Sequence, residues 1–229
     1  MREIVIDTET TGFDPSKGDR VVEIGCIELV NHIPTGVEHQ VYINPERDMP
    51  AGAFEIHGLS EEFLSDKPVF ADVAGDFLDF IGDDKLVANN AGFDMGFINA
   101  ELELAGRPTI PPSRAIDTMA MARRKFPGAP ASLDALCRRF TVDASARTHH
   151  GALLDAGLLA EVYLALLGGR QPGLSLVADA GKQTASAASG DEAAAVSAPR
   201  PARPHAPIEA EVTAHAAFVD GLKDPLWRR

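Results

Sequence analysis

The stretch "IVIDTETTG", residues 4–12, decides how this chain reads. Ile4, Val5 and Ile6 are β-branched and apolar, and Gly12 with Asp14-Pro15 supplies turn signals, so the run predicts a buried strand. Side chains two apart share a strand face, so Asp7 and Glu9 converge if the strand extends that far. Two unpaired carboxylates taken out of water repel each other and protonate unless a cation joins them. The pair therefore points to a divalent-metal site or, more simply, to a loop start where acids cap a turn.

Working outward, 229 residues with 45% hydrophobic content can bury one core and leave a remainder. No apolar run reaches the roughly 20 residues that cross a bilayer, and Met1-Arg2-Glu3 leads straight into the strand. A cytoplasmic chain without membrane association is expected. Cys26 and Cys137 lie far apart in apolar patterns and read as small core residues. A net charge of −13 argues against a protein that coats nucleic acid with a broad basic face, but not against an enzyme that grips one phosphodiester through metal ions. The cluster Arg123, Arg124 and Lys125 reads either as a backbone-tracking patch or as a solvated helix end.

Residues 20–30 and 37–44 are rich in Val and Ile, with a turn expected over "NHIPTG" between them, which predicts an antiparallel meander. Helical spacing over 70–81 followed by the apolar run 85–90 predicts a crossover to a parallel strand. Further helices are expected over 93–105, 117–126, 132–140 and from Gly151 to the Gly168-Gly169 stop. Three segments follow: a globular domain over 1–170, a flexible linker over 171–207 and a patterned C-terminal segment over 208–229. Residues 183–207 are Ala-, Ser- and Pro-rich without an aromatic residue, too poor in apolar surface to offset ordering entropy. The last segment carries the chain's one Trp, Trp227, and is too short to fold alone, so it is expected to dock on a partner.

Two further acids stand in expected helices. Asp94 falls in a first turn, where it serves either as a capping residue or as a ligand. Asp155 lies near an apolar stripe, a costly place for an unpaired carboxylate. His150 precedes Asp155 with four residues between, so both can face one cleft, although a histidine at a helix start is also an ordinary packing residue. In order, "DTETTG" at a strand end, "NAGFD" opening a helix and "HGALLD" entering a later one resemble the DEDD-type 3′→5′ exonucleases, in the subgroup that uses histidine. Within that family, "RTHHGALLDAGLLAEVYLALLGG", "HGLSEEFLSDKP" and "FPGAPASLDALCRRF" are similar to the proofreading subunits of bacterial DNA polymerase III. The likeness covers residues 2–170 and the terminal "LWRR".

The resemblance implies an α/β, ribonuclease H-like fold: a mixed five-stranded sheet flanked by helices, its first three strands antiparallel, with a disordered C-terminal tail. It implies that Asp7, Glu9, Asp94 and Asp155 organise two divalent cations, Mg²⁺ or Mn²⁺, and that His150 is the general base, His149 being one residue out of register. The substrate is then the single-stranded 3′ end of DNA, released as nucleoside 5′-monophosphates. Asp7, Glu9 and Asp155 would contact it, and the loop from Phe54 to Gly58, with His57 and neighbouring Thr10, would hold the terminal nucleotide. At Asn89 the family often has histidine. Asp117 reads as an N-cap rather than a fifth ligand. RNA-trimming enzymes share these residues, and a tethering module with a vestigial site is a third reading. The likeness also implies that Trp227 anchors the catalytic (alpha) subunit of DNA polymerase III. "QPGLSLV" at 171–177 is either the start of the linker or a sliding-clamp peptide using Gln171, Leu174 and Leu176.

Overall fold

The computed structural model describes residues 1–145, 147, 149–169, 207 and 209–221. The chain separates into two units, Met1–Leu176 and Val177–Arg229. In the first, β1 (Arg2–Thr10), β2 (Val21–Val30), β3 (Ile33–Tyr42), β4 (Lys85–Ala88) and β5 (Ala115–Asp117) form one sheet in the order β3-β2-β1-β4-β5. β1 pairs antiparallel with β2, as β2 does with β3, and parallel with β4, as β4 does with β5. The helices are α1 (Ala51–His57), α2 (Glu61–Leu64), α3 (Phe70–Ile81), α4 (Ala91–Leu104), α5 (Thr118–Lys125), α6 (Leu133–Phe140) and α7 (Ala152–Leu166). In the second unit, α8 spans Glu209–Asp220. Among the described residues no helix is long and apolar enough to cross a membrane.

The central strand β1 sorts its side chains by parity. Ile4 and Ile6 pack with Phe70, Phe77, Phe97 and Ile98 of α3 and α4. Val5 joins Leu136, Leu159 and Val162 of α6 and α7 on the other face. Each such buried side chain contributes roughly 1.5–3 kcal/mol. The sequence of α7 is apolar nearly all round, as suits a helix lying across β1 and β2 with α5 and α6 against it. The alternation places Asp7 and Glu9 on the α7 side and Thr8 on the α4 side. β1 and β4 are paired only from Glu3 with Lys85 to Val5 with Val87, so beyond Val5 the sheet opens beside the first turn of α4. A crevice at the carboxyl ends of parallel strands, where strand order reverses, is the usual ligand position in open α/β sheets.

Three expectations are corrected. The turn after β2 is not "NHIPTG" but two residues, Asn31 and His32, both left-handed at φ 52° and 66°, a pair that matches the strand twist of a tight hairpin. β4 stops at Ala88, because Asn90 turns left-handed to start α4. The segment from Phe54 to Gly58 is not a loop. It ends helix α1 at His57, with Gly58 as its left-handed stop. Asp117 does cap α5, accepting from Met119 N–H at 2.9 Å and Ala120 N–H at 3.3 Å.

Candidate active site

Asp94 and Asp155 reach the crevice by the same device from opposite layers. Each lies in a helix first turn, four residues after its N-cap, Asn90 for α4 and Gly151 for α7. Both are buried, where the positive helix N-terminus favours a carboxylate. Asp94 Oδ1 accepts from the Thr8 hydroxyl at 2.8 Å, so β1 holds this acid with the side chain between its own two acids. From β1, Glu9 is buried and Asp7 half-buried.

Among the described residues, Glu9, His150 and Asp155 bring one potential ligand atom each within 4.8 Å of one another. Asp7 and Asp94 fall outside that tight group, but they act on it electrically. Burial pushes the Glu9 carboxyl up to about 8, helped by the charges of Asp155 and Glu23. Burial likewise holds Asp94 up at about 7, against the lowering effect of the Thr8 hydrogen bond. Asp7 is raised well above the carboxylate range by desolvation and then by Asp94, Glu9 and Asp155. Burial thus disfavours the ionised form of Glu9, Asp94 and Asp7, and hard oxygen donors such as these suit Mg²⁺ or Mn²⁺. Asp155 Oδ1 is buried with no hydrogen-bond partner, a free lone pair for such an ion. The donor set therefore fits a divalent metal.

A residue without an expected role supplies positive charge there. Arg147 Nη2 lies 2.6 Å from Asp155 Oδ2 and 2.5 Å from His150 Nδ1, and Nη1 pairs with Asp134. Even so, burial keeps Asp155 above its ordinary range. His150 Nδ1 is 3.2 Å from Asp155 Oδ2, and the His150 N–H donates to Ile56 O at 3.0 Å, tying the segment to the end of α1. His149 is exposed and its ring lies beside Gly58. The signal for Arg147 was a cation three residues before His150; nothing in the spacing says that it folds back onto Asp155.

Next to the acids is a cavity of about 440 Å³ lined by Glu9, Thr10, Phe13, Ile56, His57 and Phe93, among others. His57 is buried in its wall. Its Nδ1 accepts from Leu59 N–H at 3.0 Å, which leaves the proton on Nε2, and Nε2 has no partner. Burial lowers the pKa of this ring. The Thr10 hydroxyl is engaged with Gly12 O at 2.6 Å. Asn89 Oδ1 accepts from Thr118 at 3.1 Å. Gln171, Leu174, Leu176 and Trp227 lie outside the described residues.

An exonuclease family, RNase_T, matches residues 4–163. DNA polymerase III subunit epsilon of Rickettsia felis is 58% identical over 180 residues, covering 77% of this chain and 79% of that one. The subunit of the same name from Escherichia coli K12 is 49% identical over 177 residues, covering 74% and 72%. Among solved structures, exonuclease X in complex with 5′ overhanging duplex DNA superposes with a TM-score of 0.57 at 26% identity, covering 72% of this chain and 90% of that one. The nuclease domain of 3′hExo, a DEDDh family member bound to rAMP, gives 0.63 at 18% identity over 72% and 91%, and so speaks for the fold alone. Strand order, converging acids and sequence likeness thus agree: this chain belongs to the exonuclease family, in the branch of the DNA polymerase III epsilon subunits.

Proposed function

We propose that this chain is the proofreading 3′→5′ exonuclease of a replicative DNA polymerase, hydrolysing the terminal nucleotide of a single-stranded 3′ end to a nucleoside 5′-monophosphate. The observation that carries the reading is the meeting of Glu9, His150 and Asp155 beside a cavity of about 440 Å³ whose wall includes His57. Glu9, Asp155, Asp7 and Asp94 would hold two divalent cations, Mg²⁺ or Mn²⁺, which when bound supply Lewis acidity toward the scissile phosphate and the attacking water. Thr8 keeps Asp94 aimed at the cluster. His150, exposed on the cleft, takes the proton of the attacking water. Arg147 has to release Asp155 Oδ2 and His150 Nδ1 first, because its guanidinium caps both atoms. His57 donates to the terminal nucleotide, the Thr10 backbone turn forms the adjoining wall, and Asp7, Glu9 and Asp155 border the phosphate. A frayed mismatch costs less to unpair, which makes a nuclease for single-stranded ends selective for errors.

The test is digestion of a 3′-mismatched DNA primer and of a short RNA, each with and without Mg²⁺. Metal-dependent shortening of the mismatched DNA is expected, and its abolition in folded Asp155→Ala. Preference for the RNA would move the reading to an RNA-trimming enzyme, and near-normal digestion by the variant would remove the acid cluster from the mechanism. The alpha subunit of the polymerase, docked through Trp227, and the sliding clamp, gripped through Gln171, Leu174 and Leu176, are the proposed partners. Deleting residues 208–229 is expected to leave digestion of free single strands intact and to end co-purification with the alpha subunit; retained co-purification would refute that anchor.

A further inference from the structure

His150 and Asp155 flank the start of α7, so their place relative to Glu9 depends on what fixes that start. Its N-cap is Gly151, which has no side chain to accept from the first helical N–H groups. Ala152 N–H, fully buried, instead donates to Glu23 Oε2 of β2 at 3.1 Å. Glu23 is itself buried, and its other oxygen accepts from the Gln40 amide of β3 at 2.7 Å. This is a helix cap supplied across the fold by a strand carboxylate, with the favourable sign for a helix N-terminus.

A second observation places the same contact. Gly25, two residues along on the same face, lies under the α7 backbone: a Cβ there would fall 2.2 Å from Leu153 N and 2.3 Å from the Ala152 carbonyl carbon. In the β1–β2 register Gly25 stands opposite Asp7, and Glu23 opposite Glu9. The strand that docks the helix start is therefore paired residue for residue with the strand that carries the two acids. We propose that Glu23 is a positioning residue for the metal centre: by capping Ala152 it sets the distance of His150 and Asp155 from Asp7 and Glu9. This rests on the metal-dependent reading above. In this role Glu23 acts through the backbone of α7.

The test uses the full chain and three proteins: wild type, Glu23→Ala and Glu23→Gln. The amide of the Gln variant keeps an oxygen for Ala152 N–H, and Gln40 can flip its own amide to accept from the new NH₂. Each protein is measured for Mn²⁺ affinity by calorimetry, for kcat and KM on a single-stranded oligonucleotide, and for unfolding in EDTA. All assays run below the unfolding transition of Glu23→Ala. Outer partners of metal ligands typically carry about 10- to 100-fold in metal affinity or rate. Glu23→Ala is expected to lose about that much in Mn²⁺ affinity and kcat with KM nearly unchanged, and Glu23→Gln to recover most of it. Loss of stability in Glu23→Ala with Mn²⁺ affinity and kcat like wild type would overturn the inference, leaving Glu23 a fold-stabilising cap. A Gln variant as impaired as the Ala variant would overturn it too, since the Ala152 contact would then not be what matters. If wild type itself bound no Mn²⁺, the metal reading would fall and this inference with it.

Discussion

The residues proposed to carry the chemistry differ in how they became visible. Asp7 and Glu9 are legible as a pair because a strand has period two, but alone they read as well as turn caps, and the family likeness is what points them to a metal. The family likeness, a histidine with four residues between it and the aspartate, selects His150 over His149, and His150 Nδ1 lies 3.2 Å from Asp155 Oδ2 while the His149 ring lies by Gly58. His150→Ala is therefore expected to slow single-strand digestion about 10²-fold or more, the scale of a lost general base, and His149→Ala far less. A rate assay with the two effects reversed would transfer the role to His149. Arg147 and Glu23 were not legible. Glu23 does stand out as an acid in the apolar run "RVVEIGCIELV", but its partner is 129 residues away, and nothing in the sequence around Arg147 says that its guanidinium reaches Asp155. Such partners are products of tertiary packing, to which sequence periodicity is blind.

Among the elements, those carrying an apolar pattern were readable and the shortest, irregularly started ones were not. α3 and α7 follow their pattern, whereas α1 has Pro50 as its N-cap, no side-chain cap and only seven residues. β5 has three residues, so only a family likeness could supply the fifth strand. The interface of β2 with α7 offers a paired test of how this layer is set. Gly25→Ala puts a methyl into the α7 backbone, and neither backbone can yield cheaply. A cost of about 1–3 kcal/mol or more in urea unfolding is expected, with lost Mn²⁺ affinity as the start of α7 is pushed off Asp7. Gly157→Ala, one helix turn beyond Leu153, meets only Ile27 Cδ1 at 3.6 Å, an ordinary contact. There the helical preference for alanine is expected to dominate, leaving stability unchanged or raised by up to about 1 kcal/mol. Equal costs at the two glycines would contradict the close approach at Gly25.

At the scale of the whole molecule the acid cluster makes stability depend on pH and on metal together. In the metal-free chain Glu9 titrates at about 8 against an ordinary 4.5, and Asp94 at about 7 against 3.8, with Asp7 displaced in the same direction. The folded chain thus keeps protons that the unfolded chain has already lost, so this contribution to stability is full below the ordinary carboxylate range and disappears as pH rises through 7 and 8. His39 and His57, lowered by burial, have the opposite slope, which fades above about 7.5 as the unfolded histidines lose their charge. Across pH 6.5 to 8 the acids therefore outweigh the histidines. One to two protons released there correspond to about 2 kcal/mol. Urea midpoints in EDTA are expected to fall across this window. Glu9→Gln, which has no proton to lose, should flatten the slope, and saturating Mn²⁺ should flatten it further by favouring the ionised acids. A metal-free chain that grows more stable from pH 6.5 to 8 would show that the carboxylates ionise freely when folded, and that their convergence needs no cation.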